Sequence, residues 1–197
     1  MKLVVATGNP GKLEEFRRIL TPLGVEVCSL REVGAALEVK ETGETFLENA
    51  AIKADEVFRL TGLPAVADDS GLCVDALDGR PGVYSARYGG DAPYSQKMDM
   101  LLEELREVPA QRRGAQFVSA IYCRLDGDIV ISCEGVCRGR MAFAPSGSGG
   151  FGYDPLFLVE GESFASLSPA QKDAVSHRGK ALRDFAQKLR AHLRDAE

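Results

Sequence analysis

The sequence predicts an α/β protein, and three observations predict it. A buried-strand pattern from Leu3 to Ala6 passes through a glycine-bearing turn into a helical stretch, Leu13 to Leu20, with Leu13, Phe16, Ile19 and Leu20 on one face. An amphipathic helical pattern follows from about Phe46 to Leu60. A second short apolar run, Ala65 to Ala67, then leads straight into two adjacent carboxylates, Asp68 and Asp69. Carboxylates at the end of a buried strand sit at the rim of a sheet, where α/β proteins commonly place ligands.

Bulk properties narrow the class. A chain of 197 residues with 45% hydrophobic and 27% charged residues suits one soluble globular domain over residues 1–197, without repeats or linkers. A net charge of −5 argues against a broad nucleic-acid footprint. A polyanionic ligand must therefore meet a local basic cluster or a metal ion. The five cysteines are odd in number and lack a C-x-x-C pair. Cys123 and Cys133 lie in apolar runs, which suggests buried thiols in a reducing compartment. Two histidines, His177 and His192, give a zinc site little support. No apolar stretch has the length of a signal peptide or membrane span, so a cytoplasmic protein without membrane partners is expected.

Each element can be justified in order. Thr7-Gly8-Asn9-Pro10-Gly11-Lys12 joins the first strand to the first helix, an arrangement that aims backbone N–H groups at an anion. It is nearly a Walker A loop, but Leu13 stands where a Ser or Thr should hold Mg²⁺, and that reading fails. An anion cradle with Asn9 and Lys12 pointing into it survives, and an ordinary βα turn would read the same. Val25 to Ser29 reads as a second strand, followed by an aperiodic polar stretch to Lys40. The Phe46–Leu60 helix carries an apolar stripe of Leu47, Ala51, Ala54 and Phe58, a Thr45/Glu48 capping box, and Gly62 and Pro64 at its end. Glu48 thus has a structural duty. Glu41 has none, which makes it the better metal ligand. Lys53 lies one turn beyond Asn49.

At Pro64 to Gly71, adjacent acids in an extended segment point to opposite faces, so one of Asp68 and Asp69 faces the site while the other supports it. Gly71 reads as the turn that ends the strand, and an Asx turn explains Asp-Asp-Ser-Gly equally well. Ser95 to Glu107 reads as an amphipathic helix, and Phe117–Leu125 with Ile129–Cys137 as a hairpin turning at Asp126-Gly127-Asp128. Met141 to Asp154 has no period. Its G-x-G-x-x-G lacks the flanking strand and helix of a dinucleotide fold, so the glycines around Phe151 and Tyr153 suggest backbone close to a flat ligand, or a flexible tip. Ser168-Pro169 opens a helical segment containing Lys172. Ser176 caps the last helix and leaves His177 and Arg178 in its first turn with side chains free.

Together these stretches resemble the inosine triphosphate pyrophosphatase family. The matching motifs are TGNPGK (Thr7 to Lys12), ETGETFLENA (Glu41 to Ala50), ADDSGL (Ala67 to Leu72), PGVYSARY (Pro81 to Tyr88), GGFGYDPLF (Gly149 to Phe157) and SHRGKAL (Ser176 to Leu182). The resemblance implies an elongated two-lobed α/β protein, with a central mixed twisted sheet flanked by helices, a substrate cleft between lobes, and a homodimeric state. It implies hydrolysis of non-standard purine nucleoside triphosphates (ITP, dITP, XTP) to the monophosphate and pyrophosphate, with Mg²⁺. By the same resemblance, Thr7, Gly8, Asn9, Pro10, Gly11 and Lys12 cradle the triphosphate and Lys53 neutralises charge. Glu41 and Asp69 hold Mg²⁺, Asp69 is the general base and Ser70 touches substrate. Phe151, Gly152, Tyr153 and Asp154 line the base pocket, while Lys172, His177 and Arg178 reach base or phosphates.

Overall fold

The computed structural model describes residues 1–36 and 39–195; Leu37 and Glu38, inside the stretch read as aperiodic, lie outside them. The strands are β1 (Lys2–Val5), β2 (Glu26–Ser29), β3 (Ala65–Val74), β4 (Gly114–Asp126), β5 (Ile129–Met141), β6 (Phe157–Val159) and β7 (Glu162–Ser163). The helices are α1 (Pro10–Leu20), α2 (Phe46–Thr61), α3 (Tyr94–Glu104), α4 (Pro169–Val175) and α5 (His177–Asp195). The strands form a mixed sheet in the order β2-β1-β3-β4-β5-β6-β7. β1 pairs in parallel with β2 and β3, whereas β6 runs antiparallel to β5 and β7. The predicted α/β class is borne out.

The chain divides into two compact units. The first comprises residues 1–69, 119–135 and 177–197. Here the period-2 rule sorts side chains cleanly. Leu3, Val5 and Val66 enter one apolar cluster with Phe16 and Leu20 of α1 and Ala181, Leu182 and Phe185 of α5. Val4, Ala6, Ala65 and Ala67 enter another with Ala50, Ala54 and Val57 of α2. The sheet of this unit is therefore covered by α1 and α5 on one face and by α2 on the other. The second unit, residues 70–118 and 136–176, has its own core. Phe117, Phe157 and Phe164 meet at centroid distances of 4.7, 4.9 and 5.9 Å.

Three expectations need correction. β3 does not turn at Gly71 but runs on to Val74, so Asp68 and Asp69 sit mid-strand. The buried face of α2 is Asn49, Ala50, Ala54 and Val57, and Leu47 is exposed. The polar Asn49 is buried on that face and makes hydrogen bonds to Gly43 and Asp69 there. Finally, α1 begins at Pro10, because Asn9 caps it and proline suits the first helical turn. The Thr45/Glu48 capping box and the terminal Gly62 are as expected.

Candidate active site

Parity along β3 decides the geometry. Asp68 has the parity of Val66 and faces α1 and α5. Asp69 has the parity of Ala65 and Ala67 and faces α2.

On the first face Asp68 is a buried hub. Its Oδ2 lies 2.8 Å from the Lys12 Nζ and 3.1 Å from an Arg178 terminal nitrogen. Its Oδ1 accepts the Ser119 hydroxyl of β4. The other terminal nitrogen of Arg178 donates to Glu15 of α1, and all four charged groups are largely buried. Burial alone would raise the Asp68 carboxyl, but Arg178, Lys12 and Ser119 outweigh it and hold it well below the ordinary carboxylate range. Burial likewise works against the Arg178 charge, yet Asp68 and Glu15 prevail and raise its pKa. Burial, aided by the like charges of Arg178 and Lys53, pulls the Lys12 ammonium below its ordinary value.

On the second face α2 reaches Asp69 from two positions one turn apart. Asn49 Nδ2 donates to Asp69 Oδ2 at 3.4 Å, and Lys53 Nζ donates to Asp69 Oδ1 at 2.8 Å. The same ammonium lies 2.9 Å from Glu41 Oε1 and 3.3 Å from the Asp68 carbonyl oxygen. Asn49 Oδ1 also accepts from Gly43 N–H at 2.8 Å, tying down the segment that carries Glu41. Burial pushes the Asp69 carboxyl up by more than Lys53 pulls it down. Burial opposes the charge on Lys53, but Asp69 and Glu41 raise its pKa overall, so the ammonium persists.

The Thr7–Lys12 turn satisfies several of its own amides. Asn9 Oδ1 accepts from Gly11 N and Lys12 N at 2.8 and 3.2 Å, and Thr7 Oγ1 accepts from Asn9 N at 3.1 Å. Asn9 Oδ1 therefore caps the helix, and the cation of this turn, Lys12, is paired with Asp68. His177 and Arg178 also differ from expectation: both are buried, with Arg178 committed to Asp68 and Glu15. An apolar sheet face covered by α5 leaves no solvent at that helix start. Ser70 follows Asp69 in β3 and is half-buried.

The second unit organises the glycine-rich loop around Asp154. Its Oδ2 accepts from Phe151 N–H at 2.8 Å and from Lys172 Nζ at 2.6 Å. The Lys172 ammonium stands 4.5 Å from the Phe151 ring centroid, within cation–π range. Gly150, at φ +70°, passes so close to Asp154 that a Cβ there would lie 2.1 Å from the carboxylate. Tyr153 is buried, donates its hydroxyl to the Ser85 carbonyl at 3.0 Å and meets Tyr94 edge-on. Phe151 and Gly152 are half-buried, whereas Tyr153 and Asp154 are internal supports.

Glu15, Asn49 and Ser119 carry much of this geometry, and the reading of the sequence did not single them out as site residues. Glu15 had a usable signal: it lies three residues after Lys12, next to the apolar Phe16.

The sequence profile of the Ham1 family matches residues 3–188. A dITP/XTP pyrophosphatase of Pectobacterium atrosepticum is 47% identical over 194 residues, covering 96% of this chain and 98% of the relative. One of Thermus thermophilus is 49% identical over 185 residues, covering 93% and 89%. Among solved structures, a HAM1 protein from Coxiella burnetii aligns with a TM-score of 0.88 at 38% identity, over 97% of this chain and 99% of that one. A structure from Mycobacterium abscessus described as nucleoside-triphosphatase / dITP/XTP pyrophosphatase aligns at 0.74 with 47% identity, over 94% and 98%.

Proposed function

The chain belongs to the Ham1 family, and from that premise we propose that it hydrolyses non-standard purine nucleoside triphosphates to the nucleoside monophosphate and pyrophosphate. ITP, dITP, XTP and dXTP are the substrates of this reading, and clearing deaminated purines from the nucleotide pool is its purpose. One observation carries it: carboxylate oxygens of Glu41 and Asp69 converge on the Lys53 ammonium, and the Asp68 carbonyl beside them accepts from both Lys53 and Lys12. Hard oxygens around one positive charge suit Mg²⁺, with Glu41 and Asp69 as its protein ligands. Bound there, Mg²⁺ would supply charge neutralisation for the phosphate oxygens.

The remaining roles fall to the chain. Thr7, Gly8, Asn9, Pro10, Gly11 and Lys12 form the triphosphate-binding segment, in which Lys12 and nearby Lys53 oppose the phosphate charge, and Ser70 contacts substrate. Asp69 takes the proton of a water whose oxygen bonds to the α-phosphorus. The α–β phosphoanhydride bond breaks and pyrophosphate leaves. Such a reaction needs alignment and charge neutralisation more than a protein nucleophile.

For the base, Phe151 offers a ring to stack on a purine, and Gly152, Tyr153 and Asp154 hold that ring in place. Lys172, His177 and Arg178 are, in this reading, the donors that reach the base or the phosphates. Adenine presents an amino group where these purines carry the O6 carbonyl and would leave such donors unpaired, a costly arrangement. The same reading extends to a cytoplasmic homodimer. None of the five cysteines, all within the described residues, forms a disulfide, which suits a reducing compartment. No helix among the described residues is long and apolar enough to cross a membrane.

The test is turnover with and without Mg²⁺ on ITP, dITP, XTP, GTP, ATP and dTTP, with pyrophosphate and orthophosphate measured separately. Metal-dependent pyrophosphate release from ITP, dITP and XTP alone is the expected result. Orthophosphate release, or equal turnover of ATP, would overturn the reaction or the base selectivity respectively.

A further inference from the structure

Lys53 occupies the place that a divalent cation needs. Its ammonium is held 2.9 Å from Glu41 Oε1 and 2.8 Å from Asp69 Oδ1, with the Asp68 carbonyl at 3.3 Å. These are the donors assigned above to the metal, so the inference rests on that reading. Mg²⁺ bound directly to such oxygens sits at about 2.0–2.1 Å, and two like charges cannot share the space. The surroundings keep the ammonium there. Lys53 projects from the middle of α2, a helix closed by a capping box at Thr45 and by Gly62 at its end. One turn earlier Asn49 engages the other oxygen of Asp69 and, through Gly43, the segment bearing Glu41. Both carboxylates are thus brought to the lysine rather than left to splay apart.

The protein's donor set is also small. Among the described residues no group of three or more His, Cys, Asp or Glu side chains is placed to hold a metal ion. Two carboxylates already neutralised in part by a lysine make a weak trap, and Mg²⁺ completes its shell from water and substrate phosphates.

We propose that Lys53 is a place-holder cation: its ammonium holds the Glu41–Asp69 pair together until a nucleotide's phosphates draw it away, so that metal binds well only together with nucleotide. One residue then has two positions, on the carboxylates without substrate and on the phosphates with it. The site is kept assembled in the absence of metal, and idle occupation by divalent cations is suppressed.

The experiment uses the full-length protein without nucleotide and Mn²⁺ as the probe, with free Mn²⁺ counted by its paramagnetic resonance signal. If the carboxylate pair is available to metal only in the minor state with Lys53 displaced, removing the ammonium raises the apparent affinity by the inverse of that fraction, about tenfold or more. Lys53→Met is expected to show this gain for one Mn²⁺ per chain, and Lys53→Gln, which keeps a neutral donor, is expected to agree with it. The Lys53→Met/Asp69→Asn double variant is expected to lose the gain. Affinity unchanged in both single variants would overturn the place-holder role. If Glu41→Gln nevertheless weakens Mn²⁺ binding measured with nucleotide present in that case, the metal assignment survives and the latch alone falls. A gain that persists in the double variant places the metal elsewhere and overturns both.

Discussion

Asp68 and Asp69 are neighbours in one strand and answer to different helices. Asp68 is bound by Lys12 and Arg178 from α1 and α5, and Asp69 by Asn49 and Lys53 from α2. One acid is held well below the ordinary carboxylate range as an anchor, while burial raises the other above its ordinary value. Asp69→Asn is therefore expected to lower kcat by about 10²–10⁴-fold, the usual yield of general-base catalysis, with nucleotide binding changed little. Stopped turnover with equilibrium binding of ITP measures both, and near-normal kcat would remove Asp69 from the role of base. A second prediction concerns pH. Burial, then the Asp184 carboxylate, pushes the Cys133 thiol from its ordinary 9.0 up to about 11. Folding thus favours the neutral thiol. The stability this contributes is complete below pH 9 and is lost as pH rises through about 11. Cys133→Ala should make the fall in Tm between these pH values shallower, and an unchanged slope would show that other groups govern it.

At the scale of elements, α2 and the segment before it form one device. Thr45 accepts the Glu48 N–H at 3.1 Å while Glu48 accepts the N–H groups of Glu44 and Thr45, so the helix start and the Glu41 segment share a frame. Gly43 fits into it without room for a side chain. A Cβ there would meet Glu48 Cβ at 2.7 Å, Asn49 Oδ1 at 2.8 Å and Asn49 N at 2.9 Å. Two predictions separate stability from positioning. Thr45→Ala should cost about 1 kcal/mol of stability in urea unfolding and leave kcat/KM nearly intact. Gly43→Ala should shift the Glu41 segment against Asn49 and lower kcat/KM by about 10²-fold, the scale of a displacement near 1 Å. Equal activity of the two variants would mean that the segment can move without effect on the site.

At the scale of the molecule, each unit carries its own core and its own polar set. The first holds the acids, Lys12, Lys53 and Arg178, and the second holds Phe151, Asp154 and Lys172. The proposed homodimeric state belongs to this scale. Light scattering on the purified chain is expected to report twice its mass of 21.2 kDa. A monomer with full turnover would show that the site needs no second copy.

Much of this was legible in the residues. Apolar runs in β1 and β3, the capping box of α2 and the Asp126–Asp128 hairpin turn are local signals, and the structure reproduces each. Period-2 alternation also implied that adjacent acids would face opposite sides. The sequence by itself therefore determined the α/β class and the motifs that place the chain in its family. Which side each acid faces, and what waits there, only the tertiary structure decided. Glu15 and Arg178 are 163 residues apart, and Ser119 and Asp68 are 51 apart. No local period records such pairings. The burial of His177 and Arg178 has the same origin, because a helix start reads as solvated until the sheet beneath it is assembled.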